Sequence, residues 1–223
     1  MVTIQFGKQN EKGPAQFLAR VVTLGFVVWV VYLAPLRENW AMWMAAAGWI
    51  AFGAYWSAVA RNAAEAKSAE PAESRRVHSR LVNIGLLLLF VPVWGLEQSF
   101  LSESPVWALV GLALEGAALG LAVWARRRLG RNWSGRIEIK QGHELVRTGP
   151  YRVLRHPIYT AIIGMTVATA MVDGRIHALL GVALVAAAYW RKIRIEEAKL
   201  GEAFGGEWEE YRRGTWAMVP GVF

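Results

Sequence analysis

The sequence predicts an all-α membrane protein: a polytopic bundle of about six membrane helices, carrying a basic polar loop and an amphipathic C-terminal helix at one end. Three observations predict it. Of the 223 residues, 55% are hydrophobic and 12 are tryptophan, which is beyond the usual content of a soluble domain. The apolar residues are gathered into six runs, at 17–36, 40–60, 81–96, 106–124, 158–172 and 176–190. The basic residues then fall in alternate connections between those runs.

A membrane helix needs about 20 apolar residues to cross with ease, so the first, second and fourth runs are good spans and the other three are short. The first begins after Gly13-Pro14 and has no small-residue cleavage site behind it, so it reads as a retained helix and not as a signal peptide. Residues 61–80, rich in Ala, Glu, Lys and Arg, read as a solvated surface helix broken at Pro71, with no chemistry assigned. Ser104-Pro105 opens the fourth helix, because serine caps and proline is tolerated in a first turn. Inside it, Gly116 and Gly120 have the spacing that lets two membrane helices approach closely. Glu115 lies near the middle of the same helix, where an ionised carboxylate facing lipid is costly. It therefore lines a polar cavity, pairs with an arginine, or stays protonated; the sequence leaves these open.

After the tight turn Asp173-Gly174-Arg175, the last apolar run continues into an amphipathic extension marked by Ile193, Leu200 and Phe204. Gly205-Gly206 can stop it, and Trp208, Tyr211, Trp216 and Pro220 are placed to fold the tail back against the membrane surface.

The net charge is +8, and residues 125–157 alone carry nine Lys and Arg against two Glu. With the other basic zones at the N-terminus and in 61–80, the positive-inside rule places both termini, the linker and the 125–157 loop in the cytoplasm, facing anionic lipid head groups. This distribution argues against nucleic acid as a partner. The Ala, Gly, Arg and Trp content suits a prokaryotic inner membrane. Organisation therefore divides into N-terminal membrane helices with the charged linker over 1–124, and a basic loop, helical hairpin and amphipathic tail over 125–223. The chain has no cysteine, which excludes disulfides, thiolate metal sites and a cysteine nucleophile.

No GxGxxG turn or P-loop is present. His143 and His156 lack the sequence neighbours of a metal site, and none is expected. The polar stretch "RTGPYRVLRHPIY", 147–159, is the exception in this greasy chain. Gly149-Pro150 and Pro157 lock the backbone on either side of Tyr151 to His156. Arg155 and His156 are thereby held at the entry of the fifth helix, where rigid donors suit a carboxylate or phosphate ligand, or snorkel to lipid phosphates.

"GPYRVLRHPIY" (149–159), an apolar hairpin, "EEAKLGEAFGGEWEEY" (196–211) and the upstream "HEL" (143–145) occur in order. Together they resemble the isoprenylcysteine carboxyl methyltransferase family and its phospholipid methyltransferase relatives, over residues 132–220. The resemblance implies an integral membrane methyltransferase that uses S-adenosyl-L-methionine. It implies cofactor contacts from His143, Leu145, Tyr151, Arg155, His156, Pro157 and Tyr159. It also implies a reaction centre flanked by Arg191 and Glu196, with Glu197 as a one-residue alternative. Trp208 stands where the family often has tyrosine. On an ideal helix Arg191 and Glu196 point about 140° apart, so a single helix cannot aim both at one spot without bending.

The implied acceptor is lipophilic, with an isoprenylcysteine-type carboxylate favoured and a phospholipid amine or hydrophobic thiol as alternatives. Rival classes are an NADPH-dependent membrane reductase and a non-enzymatic lipid-binding scaffold or transporter.

Overall fold

The computed structural model describes residues 40–59, 66–69, 72–102, 104–130, 138–140 and 145–221; the first apolar run lies outside them. Among these, the chain forms α1 (Trp40–Val59), β1 (Ala66–Ala69), α2 (Ala72–Phe90), α3 (Pro105–Leu129), β2 (Glu138–Lys140), a 3₁₀ turn (Gly149–Arg152), α4 (Pro157–Asp173), α5 (Ile176–Phe204) and α6 (Gly206–Arg213). The architecture is all-α apart from one antiparallel ladder, in which Ala66 pairs with Lys140 and Ala69 with Glu138.

Two helix pairs build the bundle, α3 with α4 and α2 with α5. In the second pair Ser74 meets Arg191, His78 meets Ala188, Gly85 meets Gly181 and Leu88 meets His177, so the two helices run antiparallel. Their closest approach is glycine on glycine. A Cβ on Gly85 would lie 2.8 Å from the Gly181 carbonyl, and one on Gly181 would lie 2.6 Å from that of Gly85. The α3·α4 seam is similar: a Cβ on Gly111 would meet the Ala168 carbonyl at 2.8 Å. α1 closes the bundle by burying Trp49 and Phe52, and the Trp49 indole satisfies its N–H on Thr169 Oγ1 at 2.9 Å.

α3 and α5 are long and apolar enough to cross a membrane. Val106, Leu109, Val110 and Leu114 on α3 are exposed outward, an apolar face of the kind lipid covers.

Several expectations are corrected. The 61–80 linker is not a helix broken at Pro71: residues 66–69 are extended, and α2 starts at Ala72 just after the proline. Nor does the third run stay helical to residue 96. α2 ends at Phe90 because Pro92 disfavours helix in the residue before it. Gly116 and Gly120 are exposed, and a Cβ at either would meet nothing within 4 Å. The inward stripe of α3 is Gly111, Glu115, Ala118, Ala122 and Ala125, a different face of the helix.

Glu115 is 3% exposed and packs against Gly48, whose missing side chain makes the room. Neither of its oxygens has a hydrogen-bond partner among the described residues, so pairing with an arginine is not observed there. The Ser104 cap is as expected, its hydroxyl accepting from Val106 N at 3.3 Å.

Candidate active site

The polar stretch folds as a braced corner. Gly149 has φ +61 and lies against the Arg128 side chain, where a Cβ would come within 2.9 Å, so glycine is required twice over. The 3₁₀ turn buries Tyr151, and the Tyr211 hydroxyl donates to the Tyr151 carbonyl at 2.7 Å.

Beyond the turn the chain runs beside the tail. Trp216 N donates to Val153 O at 2.9 Å, Arg155 N to Trp216 O at 2.8 Å, and His156 N to Ala217 O at 3.0 Å. Pro157, fully buried, then starts α4. Thr160 Oγ1 ties its first turn to Met218 O at 2.9 Å.

The amphipathic half of α5 supplies the opposing charges. Arg155 Nε donates to Glu197 Oε1 at 2.8 Å, and His156 Nε2 lies 3.2 Å from the same oxygen. The Arg155 guanidinium also donates to the carbonyls of Arg212, at 3.1 Å, and Thr215. Burial pushes the Glu197 carboxyl up, but the hydrogen bonds and charges of His156 and Arg155 outweigh it and hold the pKa at about 2. Tyr159 donates from its hydroxyl to Glu196 Oε2 at 2.7 Å.

Rings connect these groups. His156 stacks nearly parallel on Tyr159 with centroids 5.4 Å apart, and Tyr159 lies 4.9 Å from Tyr189. The Lys192 ammonium sits over the Tyr159 ring at 5.3 Å. A second clamp joins Arg147 to Glu207 at 2.9 Å, with its guanidinium over the Tyr211 ring.

Tyr151, Arg155, His156, Pro157, Tyr159, Glu196 and Glu197 are thus brought to one end of the bundle. Arg155 and His156 are not open donors for an anion, as the stretch alone suggested, because the α5 extension places Glu197 between them. Arg191 is turned away from this cluster: it donates to Ser74 Oγ at 2.7 Å and to Ser74 O at 3.2 Å. Leu145 is half-buried, and His143 lies outside the described residues. In the tail, Trp208 is 2% exposed and Tyr211 is buried; only Trp216 and Pro220 face outward, so these four do not form one surface-facing set.

Sequence reasoning passed over Tyr189, Lys192, His78 and Ser74. Tyr189, Lys192 and Glu196 share one helix face at i, i+3 and i+7, a periodicity that could have found them. His78 and Ser74 gave no signal within a linker read as solvated.

A model of the isoprenylcysteine carboxyl methyltransferase family matches residues 109–202, which takes in α4, the site-forming start of that helix, and most of α5 with both glutamates. The chain is also 25% identical over 151 residues to the protein-S-isoprenylcysteine O-methyltransferase of Dictyostelium discoideum, covering 65% of this chain.

The segment that carries the site is similar to the isoprenylcysteine carboxyl methyltransferase family.

The chain spans 63% of the length of the Dictyostelium relative. Its fold is similar to that of a solved structure, the eukaryotic intramembrane Ras methyltransferase. The match has a TM-score of 0.54 at 17% identity and covers 94% of this chain and 75% of that one. The matched stretch begins inside α3, so for α1 and α2 the likeness is one of fold alone.

Proposed function

We propose that the chain is an integral membrane methyltransferase that moves a methyl group from S-adenosyl-L-methionine to the carboxylate of a lipophilic, isoprenylcysteine-type acceptor at the cytoplasmic membrane surface. On this reading 125–223 is the catalytic region. The observation that carries the proposal is the convergence of Arg155, His156 and Tyr159 with Glu196 and Glu197 in the segment similar to this family.

The donor set fits the cofactor. The cofactor has a cationic sulfonium, an ammonium, a carboxylate and a flat adenine, and the site offers carboxylates, cations and a wall of rings. When bound, S-adenosyl-L-methionine supplies an activated methyl group. Tyr159, Tyr189 and His156 give faces on which a ring or a cation packs. Glu196, steadied by the Tyr159 hydroxyl, would serve as the carboxylate for the positive centre. Arg155 and Glu197 brace the corner, and on this reading His143 and Leu145 would add contacts to the cofactor.

A carboxylate acceptor needs no base to attack. An amine or thiol must first lose a proton, for which Glu196 is the available carboxylate. Because methyl transfer is an in-line displacement, the work of these residues is to align acceptor and donor and to keep water out. The tail strapped over 153–156 serves the second purpose.

Calorimetric titration of the detergent-purified chain with S-adenosyl-L-methionine, its demethylated product and NADPH tests this reading. Binding of the first two is expected. Binding of NADPH instead, or of none by folded protein, overturns it.

A further inference from the structure

Four rings form a continuous row from α2 to the candidate active site. His78 Nδ1 donates to the Ala188 carbonyl at 3.2 Å, a bond that fixes the tautomer and leaves Nε2 with the lone pair. The ring meets Tyr189 edge-on, with centroids 5.1 Å apart and planes at 84°. Tyr189 packs on Tyr159 and Tyr159 stacks on His156; the last two carry the bonds to Glu196 and Glu197.

His78 lies three residues before the apolar part of α2 begins at Leu81, and the groups facing it from α5 are Tyr189, Lys192 and Arg191. Burial, with Lys192 alongside, lowers its pKa to about 4, so the imidazole next to those cations is neutral.

We propose that His78 is a positioning residue of the reaction: from a helix outside the matched stretch of the family, it holds the Tyr189 ring, and through it the Tyr159–Glu196 pair, in place for methyl transfer. The proposal rests on the methyltransferase reading above. Its geometric basis is the row of contacts: an imidazole bonded to the α5 backbone cannot slide along the helix, and Tyr189 is wedged between it and Tyr159. Loss of the Nδ1 bond lets the ring row shift relative to the acceptor. Misplacement of a reacting group by as little as 1 Å is enough to cost about 100-fold in rate.

The test uses the full chain, with S-adenosyl-L-methionine affinity measured by calorimetry and turnover measured on an S-prenylated cysteine. His78→Phe keeps the ring and removes the donor; it should leave affinity within about twofold and lower kcat by about tenfold. His78→Gln, which retains an N–H donor, should recover part of that loss. Combined with Tyr159→Phe, His78→Phe should slow turnover no further than the slower single variant, because both act through one pair.

Wild-type turnover in His78→Phe, or fully additive losses in the double variant, overturns the proposal. So does a parallel fall of affinity, turnover and melting temperature that Gln does not relieve, because that marks a purely structural residue. Failure of the unsubstituted chain to bind S-adenosyl-L-methionine is a separate result, which overturns the methyltransferase reading and this proposal with it.

Discussion

Arg155 and Glu197, 42 positions apart in sequence, form a 2.8 Å charge-assisted hydrogen bond with both side chains almost wholly withdrawn from solvent, at 7% and 12% exposure. This contact joins two distant parts of the stretch matched by the family model: the corner that opens α4 and the extension that leaves the bundle with α5. A charge-assisted bond of this kind is worth about 1.5–3 kcal/mol, and stranding one member costs more.

The bond makes stability depend on acid pH. The Glu197 carboxyl has a pKa of about 2 in the folded chain against an ordinary 4.5. Its contribution is therefore complete above about pH 4.5 and lost as pH falls toward 2. Glu197→Gln should lower the melting temperature at pH 7, and the gap to the unsubstituted chain should close between pH 4.5 and 2. Thermal scans across that range check it, and a gap constant with pH contradicts it.

Glu196 and Tyr159 should act on turnover more than on affinity. Tyr159→Phe removes the hydroxyl that steadies Glu196 and leaves the ring; kcat should fall by about tenfold or more, with S-adenosyl-L-methionine affinity changed little. Glu196→Ala should show the same split. Unchanged turnover in the glutamate variant transfers the role to Glu197.

Arg191 should behave as a tie between helices. Its guanidinium is engaged by Ser74, so Arg191→Ala and Ser74→Ala should destabilise the chain by similar amounts, about 1–2 kcal/mol, and the double variant should add little. A loss of turnover confined to Arg191→Ala, with stability intact, instead places this arginine at the reaction centre.

The glycine seams give a structural test. Gly181→Val forces a side chain into the Gly85 carbonyl and should cost at least about 1–3 kcal/mol or prevent assembly. Gly120→Ala meets nothing within 4 Å and should be neutral or stabilising by up to about 1 kcal/mol. Unfolding curves in detergent separate the two, and equal effects contradict the packing described.

The helices were legible from their apolar runs because burial and membrane insertion both write themselves as hydrophobicity. Their faces were less so. Small residues mark a seam, and α3 carries them on two sides: Gly116 and Gly120 gave the familiar spacing, while the seam used is Gly111 to Ala125.

Within the site, the stretch 147–159 stood out as a proline-locked polar corner in a greasy chain, but it was the family resemblance that named Tyr151, Arg155, His156 and Tyr159. That Glu197 would neutralise Arg155 was hidden, since a pair on different elements leaves no trace in local spacing. His78 was hidden further, on a helix whose charged first turns read as solvent-facing, and Pro71 marked a helix start and not a break within a helix.

The most direct measurement is methyl transfer itself. Purified chain in lipid vesicles is given S-adenosyl-L-methionine with a labelled methyl group and an S-farnesylated cysteine bearing a free carboxyl, or the same compound with that carboxyl amidated. The account predicts base-labile label in the lipophilic product from the free acid, none from the amide, and loss of most of it in Glu196→Ala. Equal labelling of acid and amide, or none of either by a folded chain that binds the cofactor, contradicts carboxyl methylation at this site.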